Sequence, residues 1–343
     1  MLVNQRGNTT NTGSFSYYYG PDRYYSQGNG NNNGNWSINQ AADVPDGYGF
    51  KYSLEYLCTT TSSHADRYLM TVYRMEGNDS QVLNYGTANA KTVTLSFWIK
   101  CSKAGNFQVN FENEQDPDAG YQVQQTISSA GTWEKKVVTI PGDTTKALTF
   151  GTQKAFCFDI VYSAFGSYAS GTPTAAWSAL ANEQRGGHCN MDLFDSTSNY
   201  VKITGVQLEV GDHATDFEHI PYCDELARCQ RYFYQSSHWG TASGTGYAAL
   251  GVNYTGYQTA NGNWIWVTCY LPVIMRAAPT LDTSDQAGNT GNKHSIFTST
   301  GGSRTNNISN YHTSSYNDHF TVSNYNETKY GMQVSGVKAD AEL

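Results

Sequence analysis

Two groups of carboxylates are the first candidates for chemistry. Glu112, Glu114, Asp116 and Asp118 crowd into one short stretch, and Glu209, Asp212, Asp216 and Glu218 into another. A retaining glycoside hydrolase needs two carboxyl groups about 5–5.5 Å apart, and an inverting one about 6.5–9.5 Å. The first group sits at a predicted strand end and turn, where acids are ordinarily solvated or bend the chain. No residue is therefore assigned a catalytic role. Glu209 or Asp212 could offer oxygen ligands to a structural calcium, but a solvated turn accounts for both, and neither metal nor cofactor is expected. His213 and His219 lie near Cys223 at a spacing that matches no metal site. His312 and His319 flank Tyr316 and Asp318 in a polar segment. Neither a Gly-x-Ser-x-Gly elbow nor a nucleotide phosphate loop is present.

The aromatic residues say more. Tyr17, Tyr18, Tyr19, Trp239, Tyr254, Tyr257, Tyr311, Tyr316 and Tyr325 stand in polar, Gly/Asn-rich surroundings. Such rings stack on sugar faces while their polar edges hydrogen-bond. Trp239, Tyr257, Tyr311 and Tyr316 are taken as candidate glycan contacts, against the plainer reading that tyrosines fill half-exposed strand faces. Trp264 and Trp266 share one strand face and read as core or interface.

The elements that must hold these residues are β-strands. Charged residues make up only 15% of the 343 residues and hydrophobic ones 38%, and Gly, Asn, Ser, Thr and 26 Tyr fill the difference. That mixture favours strands and turns over helices. The formal net charge is −8, and the 21 Lys and Arg are scattered, so no nucleic-acid partner is expected. No apolar run reaches the ~20 residues of a membrane span, and Met1–Asn4 does not open a signal peptide. The expectation is synthesis in a cytoplasm without secretion by the usual route. Seven cysteines at irregular spacing make no disulfide framework. Cys58, Cys101, Cys157 and Cys269 read as small buried hydrophobes.

Period-two alternation between turn signals predicts strands at 50–58, 68–75, 92–101, 106–112, 121–127, 133–140, 155–161 and 200–210, with an irregular insertion near 166–187. Residues 1–40 read as one strand and a long loop. One helix is predicted: Asp224 caps it, and Leu226, Cys229, Gln230 and Phe233 share a face. Further strands are expected at 246–252, 263–271, 281–284, 294–299, 319–322 and 331–339. The fold class is all-β: a sandwich over 1–220, a linking helix over 221–234 and a smaller β-domain over 235–343.

Several segments carry a resemblance: Gln207–Gly211 (QLEVG), Ala214–Glu218 (AT-x-FE) and Glu225–Tyr232 (EL-x-x-CQRY). Gln5–Gly7 (QRG), Asp22–Tyr25 (DRYY), Thr94–Phe107 and Thr132–Asp143 agree, as do Met275–Thr280 (MRAAPT) and the terminal DAEL. Together they resemble tailed-bacteriophage tail-fibre and related appendage proteins, which usually carry Pro where Asp216 stands. The resemblance implies a jelly roll like those of carbohydrate-binding modules, and a virion part with no chemistry. Family members often have residues before QRG, so the expectation is that an N-terminal anchoring domain is either missing or supplied by another protein, such as another virion tail protein.

The resulting expectation is a non-enzymatic appendage subunit that adheres to a host-surface glycan. By analogy with phage fibres it is a homotrimer, with Leu226, Cys229 and Phe233 meeting their copies at the axis. A polysaccharide depolymerase and a purely architectural head or tail decoration are the alternatives.

Overall fold

The computed structural model describes residues 2–12, 18–28, 34–116, 118–236, 254–257, 263–297, 304–309, 312–326 and 331–342. The chain divides into two compact units, Met1–Tyr222 and Cys223–Glu342.

In the first unit, alternating sequence builds strands whose apolar rows face one another. β1 (Thr9–Thr12), β2 (Tyr18–Tyr19), β3 (Tyr24–Gly28), β4 (Asn35–Ala41), β5 (Ser53–Thr60) and β6 (Tyr68–Glu76) come first. A single helical turn, α1 (Gly77–Ser80), leads on to β7 (Val93–Cys101), β8 (Gly105–Asn113) and β9 (Gly120–Ile127). Then follow β10 (Glu134–Ile140), β11 (Lys154–Ala164) and β12 (Tyr200–Val210). They form two sheets, ordered β1-β4-β5-β12-β7-β10 and β2-β3-β6-β11-β8-β9, with every pairing antiparallel. From β5 onward the chain crosses to the other sheet at every connection except β8 to β9. That wrap is a jelly roll, widened at one edge by β1 to β4.

The period-two pattern predicts each of β5 to β12, and β12 has its predicted bounds. Residues 1–40 differ: the strand and long loop expected there are four strands. Backbone pairing onto β5 and β6 builds them, and such pairing leaves little trace in Gly/Asn-rich sequence.

Trp36, Phe97, Phe107, Phe111, Phe156, Phe158 and Phe194 are buried between the sheets. Each Phe there stabilises the fold by roughly 1.5–3 kcal/mol. A polar chain crosses this core: Ser26 Oγ donates to Tyr56 Oη at 2.7 Å, Tyr56 Oη meets Thr71 Oγ1 at 2.7 Å, and Thr71 Oγ1 meets Tyr162 Oη at 2.8 Å. Burial pushes the Tyr56 phenol up to about 12, so it stays neutral and hydrogen-bonding. Gly205 interrupts β12 at φ +59, where a Cβ would stand 2.4 Å from the Phe50 ring. Only glycine fits both the backbone and the space.

α2 (Tyr222–Gln230) belongs to the second unit in all but its first residue. Pro221 precedes it with a φ already suited to a helix start. Asp224 and Glu225 lie in its first turn, beside the positive end of the helix dipole. Asp224 is therefore inside the helix and is not its cap. Phe233 is not helical: it opens β13 (Phe233–Gln235). β14 (Tyr254–Tyr257), β15 (Asn263–Tyr270), β16 (Thr280–Ser284), β17 (Lys293–Phe297) and β18 (Arg304–Ser309) follow. The last strands are β19 (His312–Ser315), β20 (His319–Asn326), β21 (Gly331–Val334) and β22 (Gly336–Asp340).

They form sheets ordered β13-β22-β16, β14-β21-β17-β18 and β15-β20-β19 around Ile265, Val267, Cys269, Phe320, Val322, Met332 and Val337. The strand expected at 246–252 lies outside the described residues. The one expected at 331–339 breaks at Ser335 into β21 and β22, which belong to different sheets.

Of the three residues expected at an oligomer axis, Phe233 is 0% exposed and Cys229 is buried. Both side chains are enclosed by their own chain, so neither can meet a copy, and only Leu226 keeps part of its surface.

Candidate functional site

β15 alternates strictly. Ile265, Val267 and Cys269 are buried, while Trp266, Thr268 and Tyr270 point outward. Trp266 is 57% and Tyr270 69% exposed. Directly across on β20 stand Ser323, Thr321 and His319. The β19–β20 turn adds Tyr316, 51% exposed. Its ring stacks on His319 at 4.5 Å and 17°, and Tyr270 meets His319 at 5.8 Å and 43°.

The turn is pinned by the backbone. Tyr316 N donates to His319 O at 2.8 Å, Leu271 N to Asp318 O at 2.9 Å, and Met275 N to Asn317 O at 2.7 Å. His319 Nδ1 lies 2.7 Å from Asp318 Oδ1, and this hydrogen bond holds the Asp318 carboxyl below its ordinary value. The rings thus sit on strands and a tied turn, which hold their spacing.

Among the expected glycan contacts, Tyr316 belongs to this face. Trp239 and Tyr311 lie outside the described residues, and for Tyr257 only the backbone, in β14, is described. Trp266, expected with Trp264 as core or interface, is exposed in the single chain and so is not core. For Trp264 only the backbone is described, and Tyr270 carried no expected role. Both rows of β15 contain large or apolar residues, so alternation does not say which row is covered.

The first carboxylate group also comes together, but with cations. Glu112 on β8 and Cys157 on β11 are register partners, with Asp159 two residues along. Arg185, from the long β11–β12 connection, reaches Glu112 with both nitrogens at 2.5 and 2.8 Å and Asp159 at 3.0 Å. Asp159 is 2% exposed. Burial, then the neighbouring Glu112 charge, pushes its carboxyl well above the ordinary range against the pull of Arg185.

Glu114 is bound by Arg74 at 2.5 Å and by Lys154, and Asp116 pairs with Lys146 at 2.9 Å. Burial works to raise the Glu114 carboxyl, yet Arg74 and Lys154 leave it lowered. Glu112, Glu114 and Asp116 line a cleft of about 270 Å³ with Arg185. The donor atoms of Glu112, Cys157 and Asp159 lie within 4.8 Å of one another. Arg185 already supplies the positive charge there, and burial pushes the Cys157 thiol up and keeps it protonated, so these groups do not fit a metal.

The second carboxylate group is a clip. Glu209 accepts from Thr215 N at 3.1 Å and from the Thr215 hydroxyl. Gln207 donates to Thr215 Oγ1 at 3.1 Å and accepts from Glu218 N at 2.8 Å. Asp212 bonds His213, and His219 Nε2 lies 3.0 Å from Tyr48 O beside Phe50 and Phe217. QLEVG thus holds AT-x-FE.

The other motif segments meet in the same way. Gln5 Nε2 donates to Asp22 Oδ2 at 2.6 Å, joining QRG to DRYY. Arg276 N donates to Arg231 O at 2.9 Å and Ala341 N to Tyr232 O at 2.8 Å. The Arg276 side chain donates to Ala341 O at 2.8 Å and Glu342 O at 2.9 Å. MRAAPT, CQRY and DAEL therefore converge on one junction.

No family model and no curated protein matches this chain. Solved structures give remote likenesses. The enzymatically active domain of bacteriophage CBA120 tailspike protein 4 is 10% identical, with a TM-score of 0.31 over 61% of this chain and 20% of that one. The CBM22-1 xylan-binding domain from Paenibacillus barcinonensis Xyn10C is 11% identical, with a TM-score of 0.26 over 62% and 90%. A family 11 carbohydrate-binding module from Clostridium thermocellum is 12% identical, with a TM-score of 0.26 over 62% and 98%. This chain spans only a fifth of the tailspike domain. Similarity this low bears on neither ligand nor activity, and the jelly-roll assignment rests on the chain's own strand order.

Proposed function

We propose that this protein is a non-enzymatic subunit of a tailed-phage appendage, a tail fibre or related part, that adheres to a host-surface glycan. The observation that carries the reading is the outward row Trp266, Thr268 and Tyr270 continued by His319 and Tyr316. Exposed rings on a rigid sheet, spaced by hydroxyl side chains, offer stacking and hydrogen bonds together. The appendage part of the reading rests on the resemblance of the motif segments to tail-fibre and related proteins. The proposed assembly is a homotrimer, in which weak sites on linked copies add to one strong attachment. The adhesive step then involves no covalent change.

A depolymerase would need an accessible general acid. Asp159, the carboxyl pushed well up, is sealed beneath Arg185, and the cleft carboxylates are each paired with a cation.

The test is binding of purified protein to host envelope polysaccharide, with solution mass and released reducing ends recorded together. A trimer that binds without shortening the polymer supports the reading. Shortening the polymer would replace adhesion by depolymerisation. Failure of a well-folded protein to bind at all would leave a decoration protein.

A further inference from the structure

We infer that the aromatic face takes an extended, neutral oligosaccharide laid along β15, with separate sugar rings on Trp266 and on Tyr270. The inference rests on the adhesion reading and adds the ligand's length and charge.

Length follows from strand geometry. Trp266 and Tyr270 are four residue steps apart along one strand, so they stand ~13 Å apart at the usual rise per residue. That distance is wider than a single pyranose. A monosaccharide reaches one ring, and a chain of linked pyranoses reaches both. The His319–Tyr316 stack lengthens the platform beyond Tyr270. Between the two rings Thr268 points outward, directly across from Thr321. Two hydroxyls thus stand where the middle of a bound chain presents its own.

Charge follows from what lines the row. Trp266, Thr268, Tyr270 and Thr321 carry no charge, Ser323 is buried beside them, and the His319 ring is engaged through Nδ1, 2.7 Å from the Asp318 carboxylate that stands at the end of the platform. A uronate or sialate would meet the Asp318 carboxylate with no lysine or arginine to receive it among these described residues, whereas a neutral sugar meets no such repulsion. The same pattern favours sugar over protein as the occupant. A protein-docking core is contiguous and apolar, and here a hydroxyl residue separates the rings.

The experiment measures affinity for oligosaccharides of one to six residues cut from host envelope polysaccharide, compared with the same ladder after its carboxyl groups are reduced. Affinity should climb with length and then level off, and carboxyl reduction should leave it unchanged or tighter. Trp266→Ala should cost about tenfold on the longer members, roughly one stacked ring, and nothing on the shortest. Tyr270→Ala should weaken every length. Trp266 is a surface residue, so its replacement leaves the unit folded, which a thermal melt checks. Equal affinity for one residue and six, or a Trp266→Ala protein that binds the long members normally, would overturn the two-ring site while leaving adhesion intact. A marked preference for the unreduced acidic ladder would overturn the neutral assignment. Absence of binding at every length by wild-type protein would remove the adhesion reading and this inference with it.

Discussion

Arg276 donates from Nε to the carbonyl of Ala341 at 2.8 Å and from Nη2 to that of Glu342 at 2.9 Å. One guanidinium fork from MRAAPT thus closes the terminal DAEL onto the chain that leaves α2. Its own backbone N–H is bonded to Arg231 O, and Tyr232 O receives Ala341 N.

Removing the fork should loosen the second unit. Arg276→Ala should lower its stability by about 1.5–3 kcal/mol, the range for hydrogen bonds from a charged group. Arg276→Lys should recover only part, because an ammonium cannot span two carbonyls in one plane. Urea unfolding followed by Trp fluorescence measures both. An unchanged transition in Arg276→Ala would show that DAEL docks without the fork.

Asp159 should make the first unit alkali-sensitive. Its carboxyl is raised in the folded state, so its contribution is fully present below the unfolded value near 4. That contribution declines as pH rises and is lost through the folded value. Asp159→Asn cannot ionise, so the mutant should gain on wild type as pH rises. Denaturation midpoints between pH 5 and 10 give the comparison, and parallel curves would contradict the prediction.

Asp43 works in the opposite direction. Partial burial opposes its ionisation, but Lys202, Lys100 and Trp133 bond its carboxylate and bring it down to about 2. Its stabilisation is present above the unfolded value near 4 and fades as pH falls through about 2. The side chain is 35% exposed, so solvent screening reduces the effect. Asp43→Asn should cost about 1 kcal/mol or less at pH 7 and nothing near pH 2. A cost that persisted at pH 2 would mean that packing, and not charge, is lost.

Gly205→Ala should destabilise the sandwich by about 1–3 kcal/mol, since the new methyl meets Phe50 at a left-handed backbone position. Phe50→Ala in the same chain should relieve the clash and leave the backbone strain. Thermal melts of the single and double mutants separate the two parts. Simple additivity would mean that the ring and the methyl do not meet.

Apolar alternation between turn signals was enough to read β5 to β12, because it is a property of neighbouring residues; that β6 and β11 are covered on both faces was not legible from it. Turn residues such as Asp46-Gly47 and Pro141-Gly142 mark where runs stop for the same local reason. The cysteines of β5, β7, β11 and β15 were legible as buried small residues from the apolar runs around them. Tertiary structure decided the rest. Arg185 joins Glu112 only because the long connection folds back over a distant strand, and no spacing between positions 112 and 185 encodes that meeting. Trp266 is exposed although its stretch is apolar, and Phe233 is enclosed although Arg231 and Gln235 stand near it. Which apolar row is covered depends on what the remainder of the chain places over it, and that is settled by long-range packing.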